Sequence, residues 1–118
     1  MDSATPYTTL IKTILQEHEA IGRYDLSQPI VTHFIYDDDN AEYLMINVGW
    51  NTVWEEYVYG VVFHAWVAEG TVWIARDNVS PSMVGELITR GIPQEHILSA
   101  EQQPFIREAT AMEVGQPA

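Results

Sequence analysis

The stretch Tyr57–Asp77, YVYGVVFHAWVAEGTVWIARD, decides the fold of this chain. β-Branched and aromatic residues fill it on both sides of Glu69-Gly70, and such runs around a short glycine-containing turn are typical of a β-hairpin. The stretch therefore predicts two paired antiparallel strands. It also holds His64 and Arg76 among its apolar residues, so the predicted sheet carries either a catalytic site or a surface for recognition.

Two further β-rich runs precede this hairpin. They are PIVTHFIYD at 29–37 and EYLMINVGW at 42–50, and the turn-forming residues Asp38-Asp39-Asn40 separate them. Together the four runs predict a four-strand antiparallel meander. On simple alternation, one face of the third strand carries Tyr57, Val61, Phe63 and Val67, and the other carries Val58, Val62, His64 and Trp66.

Apolar residues on both faces of a strand are unusual for an antiparallel sheet with one side in water. We therefore expect the second face to be covered by another segment of the chain or by another chain. A homodimer or a larger homo-oligomer formed through the sheet is one way to cover it.

Two helices flank the predicted sheet. Residues 5–22 place apolar side chains at steps of three and four, which predicts an amphipathic helix that Gly22 ends. Ser80-Pro81 predict the cap and first turn of a second helix, and Gly91 predicts its end. Residues 91–100 then predict a short turn and a brief apolar run.

These elements predict an α+β fold. The expected architecture is an antiparallel four-strand meander, with an N-terminal helix and a C-terminal helix packed on the sheet. Residues 1–118 are expected to form a single domain, of which the tail 113–118 is frayed.

The charge of the chain constrains its partners. Its 118 residues include 17 acidic and 5 basic ones, which gives a formal net charge of −12, and no Lys or Arg lies between Arg23 and Arg76. Nucleic-acid affinity depends on basic groups that displace counterions from phosphates, so direct DNA binding is disfavoured. The acidic surface serves either solubility or docking on a basic partner protein.

The sequence also bears on the compartment and on cofactors. It has no cysteine, no apolar run near the ~20 residues needed to cross a bilayer, and no signal peptide, so we expect a cytoplasmic protein without membrane association. The four histidines lack metal-ligand spacing, and no phosphate loop or nucleophile elbow occurs. We therefore expect no metal, no cofactor and no catalytic residue.

One polar cluster nevertheless requires a second hypothesis. If the last two strands pair, their side chains approach within a few ångströms, and a pocket could form there. Its candidate residues are His64, Trp73, Arg76 and Asp77. The simpler interpretation is that these residues are structural, because no nucleophile or metal site accompanies them.

Four tryptophans in a chain of this length suggest a contact surface as well as a core. Trp66 and Trp73 lie inside the later hairpin, where core packing explains them. The expected partner-binding surface consists of Trp50, Trp54, Glu55 and Glu56. The alternative is that Trp54 folds back onto the sheet.

The order of motifs resembles that of the XisI proteins, the fdxN element excision controlling factors of cyanobacteria. The matching segments are NVGW (47–50), YGVVFH (59–64), GTVWIARD (70–77), ELITRGIPQEHIL (86–98) and, more weakly, REATAMEV (107–114). Where relatives tend to have a basic WDGKRR-like segment after VGW, this chain has WNTVWEE at 50–56. The charge at that loop is therefore reversed.

The resemblance implies an accessory factor for programmed DNA excision during heterocyst differentiation. Such a factor acts with a serine-type recombinase and with XisH, a protein similar to endonucleases, and the family offers no catalytic residues to carry over. The leading hypothesis is a non-enzymatic protein that binds an XisH-like partner. The alternatives are a DNA-binding recombination directionality factor and a small ligand-binding or enzymatic module built around His64, Arg76 and Asp77.

Overall fold

The computed structural model describes residues 5–24, 29–79 and 81–104. The helices and strands are α1 (Thr5–Tyr24), β1 (Ile30–Asp37), β2 (Glu42–Asn51), β3 (Glu56–Ala68), β4 (Thr71–Asp77), α2 (Met83–Thr89) and β5 (Ile97–Ser99). Single 3₁₀ turns, Gln94–His96 and Ala100–Gln102, flank β5. None of the described helices is long and apolar enough to cross a membrane.

The sheet has five strands in the order β1-β2-β3-β4-β5. The first four strands form the predicted antiparallel meander, but β5 pairs in parallel with β4. The prediction of a purely antiparallel four-strand sheet is therefore wrong. Since a parallel pair requires a crossover connection, α2 is the crossover between β4 and β5, and not a C-terminal helix that follows the complete sheet.

The helix ends also differ in part from the predicted ones. α1 continues through Gly22 to Tyr24, because a single glycine lowers helix stability without ending a helix. The N-cap of α2 is Ser82, whereas Ser80 lies outside the described residues, as does the tail 113–118. Gly91 follows the C-cap with a positive φ of 125°, as predicted for a residue that ends a helix.

The hydrophobic core lies on one face of the sheet and joins both helices to it. Its buried side chains come from α1, from one face of β2, β3 and β4, and from α2 with the residue that follows Gly91. They are Ile11, Ile14, Leu15, Tyr43, Met45, Phe63, Ala65, Val67, Val72, Met83, Leu87 and Ile92. α1 and α2 therefore lie side by side on the same face.

A histidine–carboxylate contact and an ion pair link the helices. His18 Nε2 lies 2.8 Å from a carboxylate oxygen of Glu86, and Arg90 Nη1 lies 3.1 Å from Glu17. The hydrogen bond from Arg90 lowers the pKa of Glu17 and raises that of Arg90 itself. These contacts bridge 68 and 73 residues of sequence, so they help to fix the angle between helices that the chain joins only through the sheet.

A β-bulge changes which side chains of β3 share a face. The neighbours Met45 and Ile46 of β2 pair with Phe63 and Val61, so Val62 is an extra residue and Phe63 and Val61 point to opposite faces. The alternation predicted for β3 is therefore wrong on the Tyr57 side of the bulge. We call the face opposite the helices the open face. Its side chains are those of Val31, His33, Ile35, Asp37, Glu42, Leu44, Ile46, Val48, Trp50, Tyr57, Tyr59, Val61, His64, Trp66, Ala68, Thr71, Trp73, Arg76 and Leu98.

Candidate functional site

The β2–β3 hairpin extends beyond its neighbours in the sheet. β1 pairs with β2 only as far as Gly49, and β4 pairs with β3 only from Phe63 onward. The hairpin continues past Gly49 through the pairs formed by Trp50 with Tyr57 and by Asn51 with Glu56. Its tip therefore projects from the body of the sheet.

This projecting tip exposes large apolar side chains. Trp54 is 74% exposed and Trp50 47% exposed, so Trp54 does not fold back onto the sheet. The group, which we call the aromatic hairpin end, consists of Trp50, Val53, Trp54, Tyr57 and Tyr59. Contiguous exposed apolar side chains of this size are typical of surfaces that contact another molecule.

Hydrogen bonds hold the loop of the hairpin in a defined conformation. The side-chain oxygen of Asn51 accepts from the backbone N–H of Val53 at 2.9 Å and from that of Trp54 at 3.0 Å. Glu55 adopts a positive φ of 52°, which allows the chain to turn back into β3. The loop therefore presents Trp54 from a backbone that is already ordered.

Two further features support the base of the hairpin end. The rings of Tyr57 and Tyr59 stack with their centroids 6.5 Å apart. The N–H of Trp50 donates to the carbonyl of Pro29 at 3.1 Å, and a Cβ atom at Gly49 would overlap that carbonyl oxygen. The glycine of the NVGW segment is thus required by the close approach of the chain that enters β1.

The charge at the hairpin end is negative. Glu55 and Glu56 are exposed beside Trp54, and no Lys or Arg occurs anywhere between Arg23 and Arg76. The four residues predicted for partner contact, Trp50, Trp54, Glu55 and Glu56, therefore lie together at one projecting end. Sequence reasoning missed Tyr57 and Tyr59 as members of the same surface, because the bulge at Val62 could not be read from the alternation. It also missed Val53, a loop residue beside Trp54.

The residues of the predicted pocket are only partly brought together. His64 and Arg76 are cross-strand partners, and they line an open cavity of about 390 Å³ with Val61 and Ala75. His64 Nε2 also lies 2.7 Å from a carboxylate oxygen of Glu42, which sequence reasoning did not single out. The ring of His64 meets that of Trp66 edge-on at 5.4 Å.

The other two residues of that group face different surroundings. Trp73 is the cross-strand partner of Trp66. The carboxylate of Asp77 accepts hydrogen bonds from Ser82 Oγ at 2.8 Å and from the N–H groups of Met83 and Val84 at 3.1 and 2.9 Å. Asp77 therefore fixes the start of α2 and does not turn toward His64.

A smaller cavity of about 270 Å³ lies on the other side of His64. Its lining residues are Ile35, Tyr36, Asp37, Glu42, Leu44 and His64. Within residues 5–24, 29–79 and 81–104, no three His, Cys, Asp or Glu side chains converge in a way that would hold a metal ion. The contact between His64 and Glu42 lies on the open face, beside the apolar side chains of Ile35 and Leu44.

Comparison with known proteins places this fold. The chain matches the model of the XisI protein family over residues 1–114, and no curated protein matches it significantly. A XisI-like protein from Anabaena variabilis has a similar structure, with 26% identity and a TM-score of 0.66, covering 89% of this chain and 93% of that one. The fdxN element excision controlling factor XisI from the same species shares the fold, with 24% identity, a TM-score of 0.63, and coverage of 90% and 99%. Since the family model spans almost the whole sequence, this chain belongs to the XisI family.

Proposed function

We propose that this chain is a non-enzymatic, cytoplasmic controlling factor of a DNA-excision system that acts by binding a partner protein through the aromatic hairpin end. The observation that carries the proposal is the projection of exposed Trp54, beside Glu55 and Glu56, from an ordered loop. The excision context comes from the family and from the name of the similar XisI structure. The family resemblance suggests an XisH-like protein as the partner, and a serine-type recombinase as a further one.

The chemistry of the hairpin end suits a protein partner with a basic rim. Buried aromatic side chains supply most of the binding energy at many interfaces, and the charged residues around them set orientation and specificity. Here Trp54 is the apolar anchor, and Glu55 and Glu56 form an acidic rim. Because Asn51 already orders the loop, binding requires little further loss of conformational entropy.

The described basic side chains give no support to direct DNA binding. Lys12 lies 3.1 Å from Asp38, and Arg90 lies 3.1 Å from Glu17, so two of the described cations are paired with carboxylates. A phosphate-binding surface requires several unpaired cations on one face. Arg76 alone, on an apolar face, does not supply such a surface.

The proposal is tested by co-purification. The chain is co-expressed with an XisH-like protein from the same organism, and only one of the two carries an affinity tag. We expect both to elute together from size exclusion near physiological salt, with affinity falling as salt rises because the rim is charged. Separate elution at tens of micromolar of each protein contradicts the proposal.

A gel shift with the isolated chain tests the DNA alternative. We expect no sub-micromolar binding to duplex DNA. Sub-micromolar binding with the steep salt dependence of phosphate contacts favours the directionality-factor hypothesis instead.

A further inference from the structure

The open face is a large apolar surface on the side of the sheet away from both helices. All five strands contribute to it, and Ile35 and Leu98 are among its exposed residues. Since strand side chains alternate between faces, roughly 20 residues point to this side, which matches one partner's share of a standard protein–protein interface of roughly 20–30 residues.

Charge distinguishes the open face from the rest of the molecule. Within the five strands, the carboxylates on this face are those of Asp37 and Glu42, which are cross-strand partners, and the guanidinium is that of Arg76. Most of the net charge of −12 therefore lies elsewhere. Two copies that approach through their open faces keep their acidic surfaces apart.

Arg76 differs from Lys12 and Arg90 in having no charged partner among the described residues. Its backbone pairs with His64 in the sheet, but its guanidinium makes no hydrogen bond or ion pair within residues 5–24, 29–79 and 81–104, whereas the side chains of Lys12 and Arg90 do. The two carboxylates across the face, Asp37 and Glu42, stand directly opposite each other. Asp37 accepts hydrogen bonds from Asp39 and Asn40, and Glu42 lies 2.7 Å from His64 Nε2, but neither carboxylate pairs with a lysine or arginine in the part of the chain that the structure describes. Arg76 of a second copy would give Glu42 a guanidinium partner, and the same contact would give Arg76 a carboxylate.

We propose that a second copy of this chain covers the open face, with a two-fold axis that runs along β3. Such a rotation lays β4 of one copy over β2 of the other and leaves each residue at its level along the strands. Arg76 is level with His64 and Leu44, and Glu42 lies two residues further along β2, roughly 7 Å away. Arg76 of each copy therefore reaches Glu42 of the other.

The direction of the axis follows from the charges. A two-fold axis across the strands at this level would lay β4 over β4 and bring the two Arg76 side chains together, which is repulsive. With the axis along β3, each arginine meets a carboxylate. This arrangement also places both aromatic hairpin ends at the same end of the dimer. Trp50, Tyr57 and Tyr59 of the two copies then face each other, and the two loops that carry Trp54 lie beyond them at that end.

Sedimentation velocity of the full-length chain alone, without any partner protein, tests the proposal independently of the proposed function. We expect a dimer at about 10 µM. Charge reversal by Arg76→Glu or by Glu42→Arg should raise the dimer dissociation constant about tenfold or more. In a dimer of either variant, positions 76 and 42 carry the same charge at both contacts between the copies, which is repulsive. Mixing the two variants should restore dimers, since the mixed pair regains two opposite-charge contacts.

The matched control is Arg90→Glu, the same reversal on the helix-covered face, which should leave dimerisation unchanged. A double variant with both reversals should dimerise like the natural chain, and melting curves confirm that each variant is folded. Three results overturn the proposal. The first is a natural chain that stays monomeric at high micromolar concentration, as it would if its own C-terminal residues covered the face. The second is a rise in the dimer dissociation constant for Arg90→Glu equal to that for Arg76→Glu. The third is a mixture of Arg76→Glu and Glu42→Arg that forms no dimers.

Discussion

Replacing Asp77 with Ala separates a structural role for this residue from a role in a pocket. Its carboxylate accepts hydrogen bonds from Ser82 Oγ at 2.8 Å and from the N–H groups of Met83 and Val84 at 3.1 and 2.9 Å. A longer bond of 3.3 Å comes from the N–H of Val79. Because Met83 is fully buried, the position of this first turn is coupled directly to the core.

The expected cost follows from these bonds. The N-cap residue is Ser82, but Asp77 accepts from the first N–H groups of α2 as an N-cap side chain does. Loss of such an acceptor costs about 0.5–2 kcal/mol, and a partly buried donor left without an acceptor adds about 1–3 kcal/mol. We therefore expect Asp77→Ala to lower the free energy of unfolding by about 3 kcal/mol. At about 2.1 cal/mol/K of unfolding entropy per residue, a 118-residue chain loses roughly 4 °C per kcal/mol, so the melting temperature should fall by roughly 12 °C.

Thermal unfolding followed by circular dichroism measures this effect. Asp77→Asn should lower the melting temperature less than Asp77→Ala, because the amide keeps one acceptor oxygen. It should still melt below the natural chain, because the NH₂ group replaces the second acceptor with a donor that faces another donor. Glu95→Ala is the control, since Glu95 is an exposed acidic residue outside the sheet. This variant should melt within about 2 °C of the natural chain. If Asp77→Ala melts within 2 °C of the natural chain, the capping argument is wrong.

Two further substitutions probe packing and charge. Gly49→Ala should destabilise the protein by about 1–3 kcal/mol, because the new Cβ overlaps the Pro29 carbonyl. The control is Gly60→Ala, whose Cβ meets open space and should leave stability nearly unchanged. Equal melting temperatures of the two variants would contradict this. Glu17→Gln should lower the melting temperature at pH 7. Since Arg90 holds the pKa of Glu17 below its ordinary value of 4.5, that difference should be complete above pH 4.5 and vanish as the pH falls through the folded pKa. A difference that grows in acid would refute the pairing.

The meander was predictable because its signals are local. Glu69-Gly70 and the run Asp38-Asp39-Asn40 mark tight turns, and the strands between them are rich in β-branched and aromatic residues. The resemblance to the XisI family was predictable for the same reason, since its motifs are short segments in a fixed order. The family match over residues 1–114 confirms it.

What the sequence did not reveal depends on contacts between distant segments. Three residues, Ile97–Ser99, carry too little pattern to show that they join the sheet, and their pairing with β4 depends on the crossover through α2. The bulge at Val62 reverses the alternation of β3, and only the pairing with β2 shows it. For the same reason the aromatic hairpin end was predicted from its tryptophans but not from Tyr57 and Tyr59.

The affinity of the chain for an XisH-like partner, measured by titration calorimetry with Trp54→Ala beside the natural protein, tests the central claim most directly. Truncation of such an anchor commonly costs about 2 kcal/mol or more, so we predict a dissociation constant raised about 30-fold and a melting temperature within about 2 °C. Trp54→Phe, which keeps an aromatic ring, should retain most of the affinity. An unchanged dissociation constant for folded Trp54→Ala would contradict the claim that the aromatic hairpin end binds the partner.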